Sequence, residues 1–175
     1  MFEVTIQRVD IPSEVVYGRY FKFSFSAHVN RRVENPVVLL YYVGGPSPTI
    51  KSRCYYEPYH RWITNDIKIG ECPAITAYAG YWDGCTTLEH PDTAHGWRDA
   101  QLLLPVKGRY VFRCEAGYNL HAGRFTKTDE RTIYIDALTE EEVKARHVIS
   151  LIASLTPVAF IGGVIACSEA GRWVG

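Results

Sequence analysis

The sequence predicts a mainly β protein. An antiparallel β-sandwich spans residues 1–137, and a C-terminal apolar α-helix follows over residues 138–175. Three observations carry this reading. Residues Phe21 to Val29 alternate apolar and polar side chains with the period of a half-buried strand. No helical period appears before Leu138. From Val148 to Ser168 there is no charged residue at all. Composition agrees, because 13% of the residues are aromatic and 47% hydrophobic, which favours strands and excludes a disordered chain. The chain has 19 basic and 19 acidic side chains. That neutral balance argues against nucleic acid as a partner, since phosphate binding needs a basic surface.

In chain order, Phe2, Val4 and Ile6 alternate with Glu3, Thr5 and Gln7 until Ile11-Pro12-Ser13 breaks the run. This N-terminus has no basic region, apolar core or small-residue cleavage site, so no secretory signal is expected. Tyr17-Gly18 opens the Phe21–Val29 strand, with Phe21, Phe23, Phe25, Ala27 and Val29 on its apolar face. Pro36 begins a continuous apolar run from Val37 to Val43, which fits a strand in the sandwich core. Gly44-Gly45-Pro46-Ser47-Pro48 ends it, because these residues cannot continue a ladder. Trp62–Ile69, Pro73–Trp82 and the short Leu102–Leu104 are further strand candidates. Lys107-Gly108 is a turn. Arg109–Ala116 follows with Tyr110, Phe112 and Cys114 on one face, and Thr132–Ile135 closes the set. About seven short strands between turn signals read as a sandwich.

Two segments carry a resemblance. Val9-Asp10-Ile11-Pro12 through Val16-Tyr17-Gly18 to the Phe21–Val29 strand resembles the opening of immunoglobulin-like modules of the adhesion and CARDB type. Leu104 to Phe112, with Pro105, Gly108 and Tyr110, resembles their late hairpin. The resemblance covers roughly residues 2–136. It implies an immunoglobulin-like sandwich and a structural, adhesive or spacer role, although a fold does not settle a function. The Lys51–Trp97 region departs from the pattern and is expected to be an elaboration of loops and extra strands.

Beyond Leu138 the character changes. Thr139 is a good N-cap, and Glu142 stands at the capping-box position. Glu140, Glu141 and Glu142 fill the first turn, where the helix dipole favours acids. Lys144 and Arg146 follow at i+4 from Glu140 and Glu142. The span 148–168 is long enough either to cross a bilayer or to be buried within an oligomer. Ala159 and Gly163, with Gly162 and Ala166 alongside, form a small-residue stripe through which such helices could associate.

Four of the five cysteines, Cys54, Cys72, Cys85 and Cys114, lie in the β-body. They suit two disulfides in one of three pairings, or four reduced buried thiols. Cys72 and Cys85 with His90 and His95 supply a zinc-like ligand set. They lack paired clamps at standard spacing, so loop histidines and no metal are expected. No nucleophile elbow, zinc-protease motif or phosphate loop occurs, and no cofactor or enzymatic activity is expected. Asp92, Asp99, His90 and His95 merely share one loop region.

The densest chemistry is aromatic. Tyr55, Tyr56, Tyr59, Arg61 and Trp62 cluster in one stretch, and Tyr81, Trp82 and Trp97 extend it. Such residues dominate binding hot spots, but they also cap the open ends of sandwich cores. The expected function is a non-enzymatic structural or adhesive protein. The expected setting is a virion, as capsid decoration, spike or tail, with assembly through the C-terminal helix. The expected partners are further copies of the chain or other structural proteins. The alternatives are a tail-anchored membrane protein with a cytoplasmic binding domain, or a glycan-binding module.

Overall fold

A computed structural model describes residues 3–30, 33–70, 75–78, 81–82, 86–118 and 125–154. The chain divides into two units, Met1–Leu138 and Thr139–Gly175. The first contains β1 (Val4–Asp10), β2 (Glu14–Val16), β3 (Tyr20–Lys22), β4 (Ser24–Val29), β5 (Val33–Glu34), β6 (Val37–Gly44) and β7 (Thr49–Tyr56). It continues with β8 (Arg61–Lys68), β9 (Ile75–Tyr78), β10 (Tyr81–Trp82), β11 (Thr86–His90), β12 (Trp97–Leu103), β13 (Gly108–Tyr118) and β14 (Thr126–Leu138).

The ladders form the sandwich. One layer is the sheet β2–β14–β13–β6–β9. The other comprises β1–β4–β11 and its continuation β3–β12–β7–β8. Phe23 alone separates β3 from β4, and its N–H donates to the Ala100 carbonyl (3.1 Å), so the pairing carries through the break. The opening strand divides between the layers: β1 runs antiparallel to β4, and β2 runs parallel to β14. Other pairings are antiparallel. This is the β-sandwich the alternation predicts, antiparallel but for the pairing of β2 with β14.

The core lies between the layers. The expected apolar face of Phe21–Val29 points into it, with Phe23, Phe25, Ala27 and Val29 buried and Phe21 packed at its margin. Tyr110, Phe112 and Cys114 are buried from β13, as their alternation predicts. Tyr42, Tyr110 and Phe112 form a ring cluster, with centroids 5.8 and 5.5 Å from Tyr42. Each phenol in it is satisfied by backbone. Tyr110 Oη donates to the Val106 carbonyl (2.8 Å) and accepts from the Val106 N–H (3.2 Å). That is the tyrosine corner of such sandwiches, and it explains the Pro105–Gly108–Tyr110 spacing. Tyr42 Oη donates to the Ser47 carbonyl. A Cβ at Gly45 would lie 2.7 Å from both the Tyr110 ring and the Tyr42 hydroxyl, so only glycine fits between them.

The N-terminal strand is fastened by the last. Asp129 Oδ2 accepts from the Ile6 N–H (2.8 Å), Arg131 donates to the Ile6 carbonyl, and Thr128 Oγ1 donates to the Val4 carbonyl (2.5 Å). β1 is a sheet edge, and these β14 side chains satisfy backbone groups that β4 leaves unpaired. Strand β14 is far longer than the expected Thr132–Ile135. Its first half, Thr126–Arg131, is mostly charged and hydroxylated, so no apolar alternation betrayed it.

In the second unit, helix α1 covers residues 140–154 within the described chain. The capping box forms as read: the Glu142 N–H donates to Thr139 Oγ1 (3.2 Å), and the Thr139 N–H to Glu142 Oε2 (2.9 Å). Lys144 pairs with Glu140 at 3.0 Å. No helix among the described residues is long and apolar enough to cross a membrane. Of the span 148–168 only residues 148–154 are described, and Val148, Ile149, Leu151 and Ile152 are each more than half exposed. Ala159, Gly162, Gly163 and Ala166 lie outside the described residues.

Candidate binding surface

The Lys51–Trp97 elaboration contains a hairpin. β7 and β8 pair from Thr49↔Lys68 to Tyr56↔Arg61, and a 3₁₀ turn at Glu57–Tyr59 joins them. His60 closes the turn in the left-handed region (φ 49°), its N–H donating to the Glu57 carbonyl. β7 also pairs with β12, so the hairpin continues the sheet outward from β12.

Strand alternation divides the aromatic cluster between two faces. Tyr55 and Trp62 are cross-strand partners on the outer face, edge to face at 5.6 Å. Arg53 lies two residues along on that face, opposite Gln101. Its guanidinium sits 3.8 Å from the Tyr20 ring centroid and 4.4 Å from that of Trp62. Arg53 Nε donates to Gln101 Oε1 at 2.8 Å, which fixes the plane of the fork. The result is a layered stack, Tyr20–Arg53–Trp62–Tyr55, contributed by β3, β7 and β8. Trp62 remains 40% exposed. Cation–π contacts of this kind contribute about 0.5–2 kcal/mol each, more as water is excluded.

Tyr56, Tyr59, Arg61 and Trp97 gather separately, at the hairpin tip. Tyr56 stacks on its cross-strand partner Trp97 at 4.4 Å and meets Tyr59 edge-on at 5.1 Å. Arg61 lies 5.3 Å from the Tyr59 ring. The tip is clamped to a second 3₁₀ turn, Thr93–His95. The Glu57 N–H donates to the Gly96 carbonyl (2.9 Å), and Arg98 bridges Glu57 (3.0 Å) and the Thr93 carbonyl (2.6 Å). Tyr56 and Trp97 pack together at the end of the layer, Tyr59 stands exposed at the tip, and the Tyr55–Trp62 pair faces outward from the sheet. Tyr81 and Trp82 form β10, paired with β5, and their side chains lie outside what is described.

Sequence reading missed Tyr20, Arg53 and Gln101. Arg53 was detectable, because it shares the period-2 face of Tyr55. Tyr20 and Gln101 reach the stack only through β12, a pairing that no local pattern announces.

The remaining candidates disperse. Cys54 and Cys114 are both free thiols, so no bond joins them; Cys72 and Cys85 lie outside the described residues. Cys54 Sγ contacts the Arg98 carbonyl at 3.1 Å, and burial pushes its pKa up to about 11. Burial pushes Cys114 up to about 12. Both are held as neutral, weakly reactive thiols. His90 stacks on Phe23 and Phe25 at 5.3 and 5.0 Å, whereas His95 Nδ1 pairs with Asp92 at 2.6 Å. Asp99 occupies a bulge of β12 (φ 50°) and binds Lys22 at 2.6 Å. The four residues therefore serve three different contacts, and two of them, His90 and Asp99, stand in strands. Among the described residues, no three His, Cys, Asp or Glu side chains come together as a metal site. An open cleft of about 280 Å³ lies beside Lys22 and Asp99, but its charges are already matched within the chain, Asp10 by Arg8 at 3.1 Å.

No family model and no curated protein matches the chain. Among solved structures it is similar to the CARDB domain of a Pyrococcus furiosus protein, determined in complex with di-metal ions. The identity is 11% and the TM-score 0.35, over 80% of this chain and 99% of that one.

Proposed function

We propose that the chain is a non-enzymatic structural or adhesive module that engages a protein partner through the outer face of the β3–β12–β7–β8 sheet. One observation supports this: the Arg53 guanidinium is layered between Tyr20 and Trp62 and pinned by Gln101, and Trp62 stays exposed beside Tyr55. Rings and a cation fixed before contact lose little side-chain entropy on binding, and Trp, Tyr and Arg are the residue types that anchor interfaces. The setting belongs to the same proposal. The chain is a virion component, and its C-terminal helix supplies attachment to the particle or to further copies.

The test compares the parent chain with Trp62→Ala and Arg53→Gln in binding to purified particle proteins, with a glycan array run in parallel. Affinity should fall about tenfold or more for each variant, with an unchanged β-type circular dichroism spectrum. Undiminished binding by both variants removes the face from consideration, and ring-dependent binding to glycans replaces the protein partner with a carbohydrate. Co-fractionation of the chain with intact particles tests the setting.

A further inference from the structure

The sheet β3–β12–β7–β8 ends at β8. Among the described residues β8 pairs only with β7, so along its other side every second N–H and C=O faces outward. It is a long edge, Arg61–Lys68, and six of its positions are exposed; only Ile63 is half-buried and Ile67 buried. The contrast with β1 is direct. There Thr128, Asp129 and Arg131 close the backbone of a sheet edge, whereas β8 shows its outer side to solvent.

The sequence of β8 is nearly symmetric about Asn65. Thr64 and Asp66 flank it, then Ile63 and Ile67, then Trp62 and Lys68. In an antiparallel pair, opposed residues share a face. A second β8 laid antiparallel with Asn65 opposite Asn65 therefore sets Thr64 against Asp66, Ile63 against Ile67, and Trp62 against Lys68. Each match occurs twice by the two-fold symmetry. They are respectively a hydroxyl–carboxylate hydrogen bond, an apolar pair and a cation–π pair. Moving the partner two residues one way opposes Asp66 to Asp66; moving it the other way pairs Trp62 with Asp66 and Arg61 with Ile67. Arg61 and Asn65, on the inner face, are exposed, which leaves room for the approaching strand.

We infer that two copies of the chain associate through antiparallel pairing of their β8 edges, centred on Asn65, joining two four-stranded sheets into one continuous sheet. The contact is isologous, so it closes as a dimer rather than propagating as a fibre. It also sets the two outer aromatic stacks side by side. It does not depend on those stacks binding a partner, nor on association through the C-terminal helix.

Cross-linking of the full chain tests it. With Asn65→Cys, mild copper–phenanthroline oxidation should give a covalent dimer, and mass spectrometry should identify the peptide linked 65 to 65. Arg61→Cys, whose counterpart would be Ile69, should give no 61–61 link. A dimer by sedimentation without the 65–65 link, or a chain monomeric at all concentrations, overturns the inference. A second pair of variants changes the edge without touching the core. Trp62→Lys opposes two lysines twice over and should weaken dimerisation about tenfold. Trp62→Glu restores attraction to Lys68 and should dimerise like the parent, although it removes the exposed ring. Loss of partner binding with the dimer intact would concern the aromatic face alone. Equal dimerisation of the lysine and glutamate variants sinks the edge pairing.

Discussion

Two ring clusters in this molecule use the same residue types to opposite ends. In the core, Tyr42, Tyr110 and Phe112 are fully buried, and the two phenols are satisfied by the Ser47 and Val106 backbone. On the outer face, Tyr20 and Trp62 are held by the Arg53 cation and Tyr55 by the edge of Trp62, and all three residues stay partly exposed. In the core, apolar area is removed from water once, on folding, and contributes to stability. On the face much of it remains to be buried later, against something else. The type of side chain does not separate these cases. What separates them is which strand of the sandwich the ring stands on and which side of it the alternation selects.

The comparison is most easily broken at Phe112. Phe112→Ala should destabilise the β-unit by about 3–5 kcal/mol, measured by urea denaturation, because it removes a buried ring from a packed cluster. A loss under about 1 kcal/mol would mean the cluster is not the centre of the core.

A smaller effect should come from alkaline pH. Burial raises Tyr42 from 10.0 to about 12, with Tyr110 adding to the shift, and burial raises Cys114 from 9.0 to about 12. Both groups are favoured in their neutral, protonated form by the fold. Their contribution is complete below the unfolded pKa values and is lost as pH rises from about 9 towards 12. The urea midpoint should therefore fall steadily above about pH 9, and Cys114→Ala should make that decline shallower. A midpoint flat across this range would show that neither group is desolvated.

The smallest effect on stability belongs to the outer stack. Arg53→Gln should cost about 1 kcal/mol or less, since the contacts it loses are partly solvated. A loss comparable to that at Phe112 would make the stack a second core rather than a surface poised for contact.

What the sequence disclosed follows this division. The Phe21–Val29 alternation, the Val37–Val43 run and the Thr139–Glu142 cap were legible, because each is a local pattern set by burial or by one turn of helix. The Tyr55–Tyr56 stretch was legible as chemistry, and its geometry waits on the strand. Adjacent residues in a strand face opposite ways, so a cluster in sequence became two clusters in space. Tyr20 and Gln101 were not legible at all, because they reach Arg53 only through the pairing of β12 with β3 and β7.

The fastening of β1 by β14 has a temporal consequence. The groups that close the first strand, Thr128, Asp129 and Arg131, stand more than a hundred residues downstream, with separations of 123 to 125 for these three bonds. Loop closure over that distance is entropically slow and raises contact order. During synthesis β1 leaves the ribosome well before β14, and its unpaired edge stays adhesive until β14 emerges. The nascent chain is thus open to mispairing for as long as the residues between these two strands are being made, and completion of β14 is the event that ends that interval.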